Sequence, residues 1–218
     1  MLPVFISGNQ NKIDYLSKTL GFQLDHQKID LDEIQSADPK VVAEHKVRQA
    51  YDLIKKPVLV EDTSLSFNAL NGLPGPFVKF FVDAESGLEN MCRMLDGFED
   101  RSAYGSVIYG YYDGQNLQFF EGRLDGTIAQ APRGDGGYGW DKIFEPAGYG
   151  GLTRAELSHE QDIESYNKLR DTKGLRDFLA FYPHHGIFSK IHSRTIFSAS
   201  RYRRSLSHDR VAATCHVG

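Results

Sequence analysis

Residues 58–79 read VLVEDTSLSFNALNGLPGPFVK. The apolar run Val58-Leu59-Val60 has the character of a buried strand, and it is expected to end at two adjacent acids, Glu61 and Asp62. Carboxylates at the end of a buried strand are costly unless they hold a cation or do chemistry. If the strand ran on, the two would point to opposite faces, leaving one for a site. A rigid turn, Gly72 to Pro76, then brings Lys79 close, which suggests an anionic ligand. Acid plus lysine at this spacing suggests magnesium with phosphate.

Upstream, Leu2 to Ile6 reads as a strand that breaks at Ser7-Gly8-Asn9. A helix over Lys12 to Leu20 follows, with Ile13, Leu16 and Leu20 on one side and Gly21 as its stop. A second strand is expected over Gln23 to Ile29, then an acidic loop with Asp32 and Glu33. A helix over Pro39 to Ile54 has Asp38 as its N-cap and Pro39 in its first turn. Strands alternating with helices imply an α/β fold whose sheet has crossover connections.

Downstream, Pro76 to Ala84 and Glu85 to Leu95 look helical. Ser102 to Tyr112 and Asn116 to Arg123 read as a hairpin turned at Asp113-Gly114-Gln115. Residues 131–149 are glycine-rich and irregular. One amphipathic helix is expected over Glu164 to Phe181, with Leu169, Thr172, Leu175, Phe178 and Leu179 on its inner side.

The 218 residues fit one large domain or two small ones, and 40% hydrophobic with 25% charged is ordinary globular composition. A net charge of −4 gives no global reason to bind nucleic acid. Two cysteines, Cys92 and Cys215, are too few for a disulfide framework or a thiolate zinc site. No signal peptide or stretch of roughly 20 apolar residues is visible, so a cytoplasmic protein without a membrane anchor is expected. Residues 183–218 differ from the rest: they hold six Lys/Arg, five His and one acid. They are read as a basic, disordered extension to a domain of residues 1–182. The sharper alternative is an RNA- or phosphate-binding arm centred on Arg201-Tyr202-Arg203-Arg204.

Three groups carry the chemistry. The first loop joins a strand to a helix N-terminus, where free N–H groups and the helix dipole favour an anion; Gly8 permits close approach, and Lys12 reaches a phosphate from the first turn. Most such turns bind nothing, and this one lacks the Walker spacing. Glu33, Glu61 and Asp62 are hard oxygen donors suited to magnesium. In Arg133 to Asp141, Tyr138 can stack on a nucleobase, worth roughly 1–3 kcal/mol, and Asp141 can bond base or ribose. The bland alternative is a surface loop pinned by Trp140. No Ser–His–Asp or Cys–His constellation can be assembled, so a metal-activated water is expected rather than a covalent intermediate.

SGNQNK at 7–12, VEDTSLSF at 60–67, ALNGLPGPFVKFF at 69–81 and GYGWDKIFEPAGY at 137–149, in this order, resemble the inosine triphosphate pyrophosphatase family, as does GFEDRSAYGSVI at 97–108. The resemblance spans residues 2 to about 182. It implies a two-lobed α/β fold around a long curved mixed sheet with the nucleotide in the cleft between lobes. It also implies a homodimer, Mg2+, and hydrolysis of deaminated purine nucleoside triphosphates (ITP, dITP, XTP) to monophosphate and pyrophosphate. By position it implies a phosphate loop of Ser7, Gly8, Asn9 and Lys12 and a metal-binding Glu33. Asp62 matches the metal-binding, water-activating aspartate. Lys46, Thr63 and Lys79 match further nucleotide contacts, and Tyr138, Gly139, Trp140 and Asp141 the loop beside base and ribose. A non-catalytic nucleotide- or RNA-binding protein on the same fold is the alternative.

One segment departs from the pattern. Where the family has a lysine and then Ser-His-Arg reading the purine 6-oxo group, this chain has Asp162 and then Tyr166-Asn167-Lys168. Asn167 and Lys168 are therefore the expected base contacts, with altered base preference. His159 and Arg170 are the other donors in reach if the register shifts by a few residues.

Overall fold

The computed structural model describes residues 1–181. The expected boundary at 182/183 and the whole basic extension lie outside the described residues.

Strand β1 (Val4–Ile6) lies between β2 (His26–Gln27) and β3 (Val58–Phe67), parallel to both. β3 then pairs antiparallel with β5 (Ser102–Tyr112), β5 with β6 (Leu117–Ile128), and β6 with β7 (Phe144–Pro146); β4 (Pro74–Gly75) adds to the far end of β3. The result is the expected mixed α/β architecture, a seven-stranded sheet flanked by helices. One core contains Leu59, Leu65 and Phe67 of β3 and covers one face. A smaller core, with Val58 and Val60, packs under α2 (Pro39–Ile54) on the other. Asp38 caps α2 by accepting from the Lys40 amide at 2.9 Å, with Pro39 in the first turn as the sequence indicates.

β3 does not stop at the acids. It runs on to Phe67 because all ten of its residues pair with β5, from Val58 opposite Tyr112 to Phe67 opposite Ala103. Glu61 and Asp62 therefore sit mid-strand in the centre of the sheet.

The last helix is two helices, α5 (His159–Leu169) and α6 (Thr172–Phe181). Ser158 and Gln161 form a capping box that starts α5 five residues earlier than expected. Arg170 between them is extended (φ −128°, ψ 143°), and the Asp171 carboxylate accepts from the Gly174 amide at 2.9 Å to begin α6. The apolar face runs through the break, with Leu169, Leu175 and Leu179 buried on the same core. The break rests on β6: a Cβ at Gly122 would overlap the backbone of Leu169 and Arg170. Because backbone cannot yield as a flexible side chain does, Gly122→Ala is expected to cost about 1–3 kcal/mol. A urea unfolding midpoint unchanged from wild type would show that the α5–α6 junction is not seated there.

Elsewhere the differences are of extent. β2 keeps two residues of the expected seven. The segments read as helical before the hairpin shrink to α3 (Val78–Val82) and α4 (Gly87–Arg93), and β6 runs on to Ile128. β7 lies inside the stretch read as irregular.

Candidate functional site

β1 ends at Ile6, and Ser7-Gly8-Asn9 turn the chain into α1 (Gln10–Leu20). Asn9 caps α1 by accepting from the Lys12 amide, and the Asn9 amide donates to Ser7 Oγ at 3.1 Å. The loop opens into a cleft of about 600 Å³. Ser7, Gly8, Asn9, Lys12, Glu33, Lys46, Asp62, Thr63, Lys79, Tyr138, Gly139, Trp140 and Asp141 all line it.

Both β3 acids line the cleft as well, from opposite faces of the strand, so the expectation that only one faces the site does not hold. Each is met by its own cations. Lys12 Nζ lies 3.4 Å from Glu61 Oε1 and 3.3 Å from Thr63 Oγ1, and Arg170 Nη2 lies 3.4 Å from the same Glu61 oxygen. Burial pushes the Glu61 carboxyl up, but Lys12 and then Arg170 more than offset this and hold it below its ordinary value. On the other face Lys46, from α2, lies 2.8 Å from Asp62 Oδ1 and 3.3 Å from Glu33 Oε1; Lys79, from α3, is 3.7 Å from Glu33. Burial lowers the Lys46 ammonium's pKa, while Asp62 and Glu33 raise it above the usual value on balance.

The donor set suits a hard divalent cation. Asp62 Oδ2 and Glu61 Oε2 are buried without a hydrogen-bond partner among the described residues, and Asp62 and Glu33 already share one positive group, Lys46. Among the described residues no group of three His, Cys, Asp or Glu is placed to hold an ion alone.

The opposite wall is aromatic. Tyr138 precedes Gly139, whose φ of 62° only glycine adopts freely, and the turn drives Trp140 into the core edge-on to Phe144. Tyr15 of α1 stacks on Tyr166 of α5 at 4.8 Å and stands 6.3 Å from Tyr138. The Arg170 guanidinium covers the other contact of Tyr166 at 3.7 Å and lies 3.5 Å from the Tyr138 hydroxyl. Burial raises the Tyr166 phenol to about 12.

Two expected base contacts are misplaced. Lys168 is exposed, paired with Glu164 at 2.7 Å and lying over Tyr149, and Asn167 is exposed and accepts from Thr172 across the helix break. Neither lines the cleft. The reason is the end of α5 itself: Leu169 and Arg170 turn inward and line the cleft, while Asn167 and Lys168 stay on the outer side of the helix. His159 is also outside, 3.0 Å from Lys18. The sequence reading missed Tyr15 and Arg154 altogether. Arg170 is in reach from the sequence only by a shift of register, and Asp171-Thr172-Lys173-Gly174, which can start a helix and so end the one before it, is the local signal for that break.

Residues 3–177 match the model of the Ham1 family. The chain belongs to the Ham1 family. It is 38% identical over 180 residues to the inosine triphosphate pyrophosphatase of Schizosaccharomyces pombe, covering 81% of this chain and 94% of that protein. It is 45% identical over 139 residues to inosine triphosphate pyrophosphatase 2 of Trypanosoma cruzi, covering 63% of this chain and 70% of that protein. The Ham1 protein of Staphylococcus aureus superposes with a TM-score of 0.70 at 25% identity, covering 81% and 97% of the two chains. A protein of Mycobacterium abscessus described as a nucleoside-triphosphatase / dITP/XTP pyrophosphatase gives 0.66 at 25% identity, covering 82% and 99%. As a Ham1 member the chain is an enzyme, a hydrolase acting on acid anhydrides. No helix among the described residues is long and apolar enough to cross a membrane.

Proposed function

We propose that this Ham1 protein hydrolyses oxo-purine nucleoside triphosphates (ITP, dITP and XTP) to the nucleoside monophosphate and pyrophosphate, with magnesium, as a cytoplasmic homodimer. One observation carries the reading: Lys12 beside Glu61, Lys46 beside Asp62 and Lys79 beside Glu33 converge on one cleft that Tyr138 and Trp140 also line. The lysines match a triphosphate and the aromatic wall a base.

Magnesium, held by Asp62 and Glu33, would offset charge on the phosphate oxygens. The protein's own groups then divide the work. The Ser7–Asn9 loop and the α1 N-terminus receive phosphate oxygens through backbone N–H groups. Asp62 orients the water that attacks the α-phosphorus. The bond from that phosphorus to the bridging oxygen breaks, and Lys12, Lys46 and Lys79 stabilise the departing pyrophosphate. Arg170 presents donors only, and its Nε and Nη1 have no hydrogen-bond partner among the described residues. We assign it the oxo face of the base in place of Asn167 and Lys168.

The expected result is magnesium-dependent pyrophosphate release from ITP, XTP and dITP, well above that from ATP, GTP and dUTP, and abolished by EDTA. Release mainly from ATP or GTP would refute the base assignment. No release from any nucleotide by a folded protein would leave a binding protein on this fold.

A further inference from the structure

Arg154 lies in a short turn after the glycine loop and is 4% exposed. An arginine this deep is tolerated only when its donors are paired. Here all three donor nitrogens are engaged: Nη1 with Asp141 Oδ1 at 3.2 Å, Nη2 with Asp162 Oδ1 at 2.7 Å, and Nε with Ser165 Oγ at 3.2 Å.

The contacts continue in both directions. The second oxygen of Asp162 accepts from the Tyr15 hydroxyl at 2.5 Å, and Tyr15 stands one turn after Lys12 on α1. The second oxygen of Asp141 accepts from the Tyr138 amide at 3.0 Å. A chain of polar contacts thus runs Tyr15, Asp162, Arg154, Asp141, Tyr138. It joins the helix that carries the phosphate loop to the wall beside the nucleoside. The backbone around Arg154 is itself fixed: the Gly136 amide donates to the Ala155 carbonyl, Thr153 Oγ1 donates to the Arg133 carbonyl, and Arg133 pairs with Glu156 at 3.2 Å.

We propose that Arg154 is a positioning residue that sets the width of the nucleoside slot between α1 and the Tyr138–Asp141 wall. It acts through Asp141, whose one oxygen meets Arg154 and whose other accepts from the Tyr138 amide, so that Asp141 holds the loop. This rests on the cleft being the nucleotide site. A slot set by a strut controls how well any nucleotide is held, independently of its base and of the bond that breaks. Arg154 therefore governs KM and leaves kcat nearly alone.

The chain contains one tryptophan, Trp140, inside the positioned loop, so intrinsic emission reports the loop directly. Arg154→Met is expected to red-shift Trp140 emission, to make it more accessible to acrylamide, and to raise KM for ITP roughly tenfold or more with kcat within about threefold. Arg154→Lys keeps the charge but cannot span two carboxylates and a hydroxyl; it is expected to restore the emission and only part of the KM. If Arg154→Met does not fold, Asp162→Asn tests the same strut, since it removes one charge partner while keeping the side chain's shape. Unchanged emission and KM in a folded variant would overturn the proposal, as would a loss confined to kcat. Absence of hydrolysis by the wild-type protein would instead remove the nucleotide reading, while the emission arm would still decide whether Arg154 holds the loop.

Discussion

Asp62→Asn is expected to lower kcat for ITP by about 10³-fold, with circular dichroism and Tm close to wild type. The two parts of that result have separate causes. Asparagine has the shape of aspartate and keeps an oxygen for Lys46, now 2.8 Å from Asp62 Oδ1, so packing on β3 is undisturbed. The negative charge is lost. Asp62 Oδ2 is buried and has no hydrogen-bond partner among the described residues, so in the proposed mechanism it is the oxygen left to hold a cation or take the attacking water's proton. An amide presents NH2 there instead, which repels a cation and cannot accept a proton. Glu33 differs: its side chain is 41% exposed, it meets the same Lys46 from the rim, and water can replace part of what it does. Glu33→Gln is therefore the milder control. Steady-state pyrophosphate release at saturating magnesium and ITP decides the matter. Turnover by Asp62→Asn within tenfold of wild type would move the water-orienting role to another group.

How far the sequence disclosed this site depended on whether local pattern or long-range pairing set each residue. The Ser7–Lys12 loop, the Asp38 cap of α2 and the hairpin of β5 and β6 are local, and their residues name them directly. Glu61 and Asp62 were visible as misplaced acids, yet their setting was misread. Strand continuation past them depends on pairing with β5 some 40 residues later, and the charges are tolerated because Lys12, Arg170 and Lys46 arrive from distant elements. The α5–α6 break was hidden because Leu169, Leu175 and Leu179 keep one apolar face through it. That hidden break puts Asn167 and Lys168 ahead of Arg170 as expected base contacts, whereas of the three Arg170 lines the cleft. Arg154 had no local signal, since its partners Asp141 and Asp162 lie on separate segments and only the folded chain brings them within reach.

Arg170→Met is expected to destabilise the protein by about 3 kcal/mol, a fall of roughly 6–12 °C in Tm, and to erase much of the preference for ITP over ATP. The stability loss follows from Glu61. Its side chain is fully buried and shares one oxygen between Lys12 and Arg170, each at 3.4 Å, so removing the arginine leaves a buried carboxylate with a single cation. In the wild type the Glu61 carboxyl lies below its ordinary value of 4.5, so its ionised form adds stability that is present above that pH and lost on acidification. Without Arg170, only Lys12 is left as a cation to oppose the burial that raises the carboxyl, so part of that stability is lost. The Tm gap between variant and wild type should accordingly be wide at neutral pH and narrow as pH falls through 4.5 and below. A gap that is independent of pH would mean that lost packing against Tyr166, and not the charge on Glu61, sets the cost. The selectivity loss follows from the guanidinium itself. It offers donors and no acceptor, so it favours a 6-oxo group over a 6-amino group, a choice worth about 1–3 kcal/mol per good pair. Methionine offers neither, and the ratio of kcat/KM for ITP over ATP should fall by about tenfold or more. If that ratio survives in the folded variant, Arg170 is confined to holding Glu61, and the base is read from the Tyr138 wall.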